Sequence, residues 1–202
     1  MTARHKVLVI DDDPAMRDSL TFLLDVNGFA VAAYETATAF LDHFVQNPAS
    51  CIISDIRMPG MTGLELVRKL KSDNVSSPVI LMTGHGDVAL AVEAMKAGAA
   101  DFIEKPFDDE VLLHAIRGAM ELQLPKPADD SAKVEAEARL AELSPRERDV
   151  LSGLLAGKIN KVIAHELGIS PRTVEVYRAN LMAKTNVRSM SELMRIAIAA
   201  GL

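Results

Sequence analysis

Cysteine is nearly missing from this chain, with Cys51 the sole example in 202 residues. An internal disulfide is therefore impossible, and a thiolate metal site has too few ligands. Cys51 lies inside an apolar run and reads as a buried small hydrophobe. No run is long and apolar enough to cross a membrane. The opening Met1-Thr2-Ala3-Arg4-His5-Lys6 leads straight into a short strand-like stretch. The expectation is a cytoplasmic protein without a signal peptide or a membrane partner. No internal repeat is evident.

What is present suits a globular protein of one or two domains, with 49% hydrophobic against 25% charged residues. The net charge of −6 conceals an asymmetry. Residues 1–122 carry 10 Lys+Arg and 18 Asp+Glu, a net −8, whereas residues 143–202 carry 9 and 5, a net +4. An acidic front and a basic back imply two modules with different partners, and the basic one is a candidate for nucleic acid.

The front module is organised around Cys51-Ile52-Ile53-Ser54-Asp55-Ile56-Arg57-Met58-Pro59-Gly60. An apolar run ends in a carboxylate, and a Pro-Gly breaker follows, so Asp55 is expected at the tip of a buried strand. Similar apolar runs are Val7–Ile10, Phe29–Tyr34, Pro78–Met82 and Asp101–Glu104. Between them lie helical stretches at about Pro14–Asn27, Thr36–Gln46, Gly63–Ser72, Asp87–Gly98 and Asp108–Leu122. Five largely continuous apolar strands alternating with five helices predict a parallel sheet covered on both faces. Ligands of such sheets sit outside the carboxyl ends of the strands. Asp11, Asp12, Asp55, Thr83 and Lys105 all fall there, on four different strands.

Three carboxylates at one sheet mouth repel one another and are costly to bury unpaired. A hard divalent cation such as Mg²⁺ relieves this, because it prefers carboxylates, water and phosphate oxygens. Two acidic residues would hold the ion while the third serves as a nucleophile for a phosphoryl group. Lys105 and the Thr83 hydroxyl would then neutralise and hydrogen-bond the new oxygens. The plainer alternative makes Asp11–Asp13 helix caps and Lys105 a solvated charge.

These residues resemble the receiver domain of two-component response regulators. The matching pieces are Val9-Ile10-Asp11-Asp12-Asp13, Ser54-Asp55-Ile56-Arg57-Met58-Pro59-Gly60, Met82-Thr83-Gly84 and Glu104-Lys105-Pro106-Phe107. The resemblance implies that Asp55 is the phosphoacceptor for a sensor histidine kinase. It implies that Asp11, Asp12, Asp55 and the backbone carbonyl of Arg57 coordinate Mg²⁺, and that Thr83 and Lys105 bind the phosphoryl group. It also implies a cis Lys105-Pro106 bond and a switching aromatic at Phe102. Gly84 departs from the Ala that most receivers carry after the Thr, which leaves the loop freer.

Leu124-Pro125-Lys126-Pro127-Ala128-Asp129-Asp130-Ser131 breaks the alternation and reads as a linker. The Ala/Glu-rich stretch after it favours helix, so the linker is either flexible or partly a helical spacer. From Ser144 the pattern is helical throughout. Ser144-Pro145-Arg146-Glu147 fits a capping box with Pro at the first helical position, and Ser170-Pro171 repeats that cap chemistry. In the helix after Pro171, Val174, Tyr177 and Leu181 recur at core-facing spacing. The opposite face carries Arg172, Glu175, Val176, Arg178, Ala179 and Met182.

A helix, a turn and a basic helix suit a helix-turn-helix whose second helix enters the major groove. Lys158, Lys161, Arg172, Thr173, Arg178 and Lys184 suit phosphates. Glu175 suits cytosine, and Val176 or Ala179 a thymine methyl. An ordinary helical interaction bundle with a basic surface is the alternative. Leu143-Ser144-Pro145-Arg146-Glu147-Arg148, Asn160-Lys161-Val162-Ile163-Ala164 and Gly168-Ile169-Ser170-Pro171-Arg172-Thr173-Val174-Glu175-Val176 resemble the LuxR-type DNA-binding domain.

Together the two resemblances point to the NarL/FixJ class of regulators. They imply a five-stranded parallel, flavodoxin-like α/β receiver over residues 1–122 and a partly helical linker over 123–142. A small all-α helix-turn-helix domain would span 143–202. Thr83-Gly84-His85-Gly86-Asp87 and Val176-Tyr177-Arg178-Ala179-Asn180 are most similar to the FixJ branch. That similarity implies a haem-based oxygen-sensing kinase, double-stranded promoter DNA and microaerobic or nitrogen-fixation genes. The expected mechanism draws Thr83 toward the phosphate, reorients Phe102, and forms a homodimer through the Asp87–Ala97 helix and the Ala100–Glu104 strand. Val88, Ala91, Val92 and Met95 give that helix its apolar side. The alternatives are a Mg-dependent aspartyl-phosphate phosphatase and a receiver whose output binds RNA or protein.

Overall fold

The computed structural model describes residues 4–44, 51–84, 88–121, 131–187 and 189–202. Five strands, β1 (Lys6–Ile10), β2 (Ala30–Tyr34), β3 (Cys51–Asp55), β4 (Val79–Thr83) and β5 (Asp101–Glu104), form one sheet of order β2-β1-β3-β4-β5. Every pairing is parallel. Helices α1 (Pro14–Val26), α2 (Ala37–His43), α3 (Gly63–Ser72), α4 (Val88–Ala97) and α5 (Asp109–Glu121) follow successive strands. The strand order reverses direction once, between β1 and β3, which is where a doubly wound sheet opens a crevice at its carboxyl edge.

The strands are short apolar runs because both faces are covered. Val7, Val9, Cys51, Ile53, Ile80, Met82 and Ile103 form one face of the core, packed with Leu20 and Leu24 of α1 and Leu112 and Ile116 of α5. The alternate residues Leu8, Ile10, Ile52 and Leu81 are equally buried, on the side where α2 supplies Phe40 and α3 supplies Leu66 and Leu70. Helix α1 starts where Asp13 accepts a hydrogen bond from the Ala15 N–H and Pro14 takes the first helical position. Helix α3 starts in a reciprocal capping box between Thr62 and Glu65.

Helix α2 ends at His43, short of the expected Gln46. Phe44 leaves helical geometry with ψ 87° and packs its ring on Phe40 at 4.9 Å between centroids. Gln46 itself lies outside the described residues. In α4, Val92 and Met95 are buried as an apolar side requires; the side chains of Val88 and Ala91 lie outside the described residues.

Burial pushes the Cys51 thiol up to about 12, helped by the charge of Asp101 and opposed by a backbone hydrogen bond from Ile52. A thiol reagent at pH 8 should therefore modify Cys51 about a thousandfold more slowly in the native protein than in urea. Labelling at the unfolded rate would contradict this burial.

The second all-helical region comprises α6 (Ser131–Ala141), α7 (Pro145–Leu155), α8 (Asn160–Leu167), α9 (Pro171–Lys184) and α10 (Met190–Ala199). The helix-favouring stretch after the linker prolines is thus helical as α6, whereas residues 122–130 lie outside the described residues. By proximity of their backbones, residues Met1–His85 with Ala97–Pro125 form one compact unit, and Gly86–Lys96 with Lys126–Leu202 another. Val150, Leu151, Leu154, Ile163, Val174, Leu181, Leu193, Met194 and Ala197 make the helical core. Helix α8 stops at Gly168, whose φ of +66° is the left-handed conformation that closes a helix and that glycine adopts without strain. Ser170 then caps α9 by accepting from the Thr173 N–H at 3.1 Å.

Candidate functional site

Sheet register brings the polar residues together. Ile10 pairs with Ser54, so Asp11 and Asp55 come one step later on neighbouring strands. Asp55 pairs with Met82, and Thr83 pairs with Glu104, so Thr83 and Lys105 flank the other side. The Lys105 N–H donates to the Thr83 carbonyl at 2.7 Å, which ties the two strand tips together. The Lys105-Pro106 peptide is cis.

The Lys105 ammonium sits between two carboxylates, donating to Asp11 Oδ2 and to Asp55 Oδ2 at 2.9 Å each. Asp11 is fully buried and Asp55 is partly exposed. Burial works against the charged ammonium, but hydrogen bonds to Asp11 and Asp55 and their negative charges outweigh it. Lys105 is held above the ordinary lysine value. Asp11 Oδ1 accepts from the Asp13 N–H at 2.9 Å, and Asp55 Oδ1 from the Arg57 N–H at 3.3 Å.

Asp11, Asp12 and Asp55 each offer one oxygen, all within 4.8 Å of one another. This all-oxygen set fits a hard cation such as Mg²⁺ and not a soft one. Placement of an ammonium between two of the three carboxylates shows that the site already requires positive charge. Asp12 is exposed and reachable from solvent, Thr83 is buried, and Phe102 is half-buried on β5.

Two contributors escaped the sequence reading. The Arg17 guanidinium donates to the Asp11 carbonyl at 2.7 Å and so braces the β1 tip from α1. The first residue of α3, Gly63, approaches the backbone of Asp55 so closely that a Cβ there would lie 2.3 Å from the Asp55 carbonyl oxygen. The spacing from Pro59 to the Thr62 cap hints at a tight turn, but no sequence signal fixes that approach.

In the helical region α8, the Gly168 turn and α9 form the helix-turn-helix. Val174 and Leu181 are buried and Tyr177 is half-buried. Arg172, Glu175, Val176 and Ala179 are exposed along one stripe, and Val176 keeps 55% of its surface in solvent. Asn180 lies on the same stripe, one helical turn after Val176.

The basic residues divide. Lys161 and Arg172 are exposed and enter no ion pair among the described residues. Lys158 is paired with Glu166 at 2.6 Å, and Lys184 with Glu147 at 2.7 Å. Arg178 donates to Asn160 Oδ1 at 3.2 Å, and the Thr173 hydroxyl shares a hydrogen bond with the Ser170 hydroxyl at 2.8 Å. The Lys184 ammonium and then the Ser144 N–H hold the buried Glu147 carboxyl below the usual carboxylate range.

The chain matches the family described as response regulator receiver domain over residues 7–117, and the family described as bacterial regulatory proteins, luxR family, over residues 141–197. It belongs to the response regulators that join a receiver to a LuxR-type DNA-binding domain. It is 52% identical over 202 residues to the transcriptional regulatory protein FixJ of Bradyrhizobium diazoefficiens, covering 100% of this chain and 98% of that protein. FixJ of Rhizobium meliloti is 49% identical over 197 residues, 98% of this chain and 97% of that protein. The response regulator protein TmoT of Ectopseudomonas mendocina is 42% identical over 191 residues, 94% and 86% of the two chains. The solved structure of full-length FixJ from B. japonicum is similar with a TM-score of 0.56 at 50% identity, covering 99% of this chain and 98% of that one. This family makes the chain a two-component transcriptional regulator, and these relatives carry the names of regulators. Among the described residues no helix is long and apolar enough to cross a membrane.

Proposed function

We propose that Asp55 is the phosphoacceptor of this regulator, and that its phosphorylation by a sensor histidine kinase promotes binding of promoter DNA by the helix-turn-helix. The observation that carries the reading is the junction of Asp11, Asp55 and Lys105 within 2.9 Å contacts at the carboxyl edge of the sheet. One Asp55 oxygen attacks phosphorus, the P–N bond to the kinase histidine breaks, and the imidazole leaves with that electron pair. The new phosphoryl oxygens meet the Lys105 ammonium, which is already poised at the acceptor carboxylate, and the Thr83 hydroxyl. Asp11, Asp12 and Asp55 with the Arg57 carbonyl would hold Mg²⁺, which supplies charge neutralisation for phosphoryl transfer.

Withdrawal of Thr83 toward the phosphoryl group gives Phe102 a new packing position, and two copies then join into a homodimer. Two reading helices would meet two half-sites, with Lys158, Lys161, Arg172, Thr173 and Arg178 toward phosphates and Glu175, Val176 and Ala179 toward bases. Similarity to FixJ over the whole chain supports an oxygen-responsive pathway with a haem-based sensor kinase, acting on microaerobic or nitrogen-fixation genes.

The decisive test treats the full chain with a small acyl-phosphate donor and Mg²⁺, then measures covalent phosphate, mass in solution and affinity for duplex DNA. The unaltered chain should gain one acid-stable, alkali-labile phosphate, dimerise and bind DNA more tightly. Asp55→Asn should lose all three gains. A phosphate-dependent dimer that survives this substitution would reject the reading.

A further inference from the structure

The C-terminal end of the reading helix is tied to a buried carboxylate. Glu147, in the first turn of α7, has 4% of its side chain exposed. Its Oε2 accepts from the Ser144 N–H and from the Lys184 ammonium, at 2.7 Å each. Lys184 is the last residue of α9, where a cation also complements the helix dipole.

Helix α9 is otherwise seated mainly on Val174 and Leu181, which are fully buried. Seven residues apart, they fall within about 20° of one line along the helix. Tyr177 and Met182 are only half-buried to either side of that line, so rolling is resisted by what the flanks of the helix are tied to. Lys184 lies about 60° to the side of Leu181, so its tie to α7 resists rolling on that flank. Arg178, on the opposite flank, is tied to Asn160 of α8 at 3.2 Å. The exposed stripe of Arg172, Glu175, Val176, Ala179 and Asn180 keeps a fixed azimuth only while such ties hold.

We propose that the Glu147–Lys184 pair is a latch that sets the azimuth of the reading helix on DNA, which makes Lys184 a positioning residue and not a phosphate contact. The inference rests on the DNA-binding reading above. It assigns a functional role to Glu147, a carboxylate that by charge alone would disfavour DNA.

Two substitutions separate the roles. Glu147→Gln keeps the capping box, which Gln also serves, but removes the charge that holds Lys184. Lys184→Met keeps the apolar stem and removes the ammonium. Each full-length protein, after the same phosphodonor treatment, is titrated across a salt series. The probes are a promoter fragment recovered by genome-wide pull-down and a scrambled duplex of equal length.

The latch predicts that each variant loses about tenfold for the promoter fragment and much less for the scrambled duplex. The slope of log affinity against log salt should stay unchanged, and the double variant should be no worse than either alone. A phosphate contact predicts a uniform loss on both duplexes and a slope reduced by about one for Lys184→Met, which would overturn the latch. Unchanged or tighter binding by Glu147→Gln would overturn it too. Should Glu147→Gln unfold, as its Tm will report, Lys184→Met decides alone through slope and ratio. An unaltered chain that grips neither duplex refutes the DNA reading itself, and the latch with it.

Discussion

Gly63→Ala is expected to destabilise the receiver by about 3 kcal/mol and to remove most phosphoryl acceptance at Asp55. The added methyl would stand 2.3 Å from the Asp55 carbonyl oxygen, 2.9 Å from Leu81 Cδ2 and 3.0 Å from Ile56 Cα. Two of those three atoms belong to backbone, so neither can rotate out of the way. The Gly63 N–H also donates to the Ile56 carbonyl at 3.1 Å, closing the loop that leaves β3. Relief therefore requires α3 to lift or the Asp55 backbone to tilt, and either motion shifts the Asp55 carboxylate away from Lys105. Gly118→Ala in α5 is the matched control, since nothing lies within 4 Å of its added Cβ. It should raise stability by about 0.5–1 kcal/mol through helix propensity and leave phosphorylation intact. Urea denaturation and a phosphate-incorporation assay measure both. Equal stability of the two variants would show that the close approach at Gly63 is not a constraint.

Much of the front architecture was legible because each strand ends in a sharp change of chemistry. Ile10 to Asp11, Ser54 to Asp55 and Met82 to Thr83 each mark the passage from a covered sheet to its open edge. The register then needs no further information to assemble the site, since parallel strands of equal length end side by side. Helix starts were equally readable, because Asp13, Thr62, Ser144 and Ser170 all carry a side-chain oxygen that satisfies a free N–H of the first turn. The end of α2 was not readable. Phe44, four residues after Phe40, packs on its ring yet leaves helical geometry, and no glycine or proline at that point announces the stop.

The basic face was legible in kind but not in partition. Counting charges on and just before α8 and α9 treats Lys158, Lys161, Arg172 and Lys184 alike. The structure separates them because Glu166 and Glu147, eight residues after Lys158 and 37 before Lys184, reach back to two of the four. Long-range pairing of that kind has no periodicity to betray it. The same holds for Arg17, whose bond to the Asp11 carbonyl links α1 to the β1 tip across six residues. The apolar stripe of α9 was easier, since Val174 and Leu181 are spaced by two helical turns and both are buried.

Lys105→Met should give the largest change that depends on conditions. Without metal it removes the donor shared by Asp11 Oδ2 and Asp55 Oδ2 and leaves the fully buried Asp11 carboxylate without its cation. A loss of about 2–3 kcal/mol is expected, seen as a fall in Tm of roughly 10 °C. Millimolar Mg²⁺ should return more stability to this variant than to the unaltered chain. The ammonium no longer competes for the two carboxylates, and an ion at a hundredfold excess over its Kd contributes about 2.7 kcal/mol. Phosphoryl acceptance should nevertheless remain at least tenfold impaired in Mg²⁺, because the lysine contact to the transferred oxygens is still missing. The pH dependence follows in sign. Lys105 is raised above its ordinary value, so in the metal-free protein its stabilisation is complete below that value of about 10.4 and is lost as pH rises through the raised one. Thermal scans between about pH 6 and pH 9 should therefore show an undiminished gap between the two proteins. A gap that closes within that range, or Mg²⁺ that stabilises both equally, would mean that Lys105 and the cation do not share the Asp11–Asp55 site.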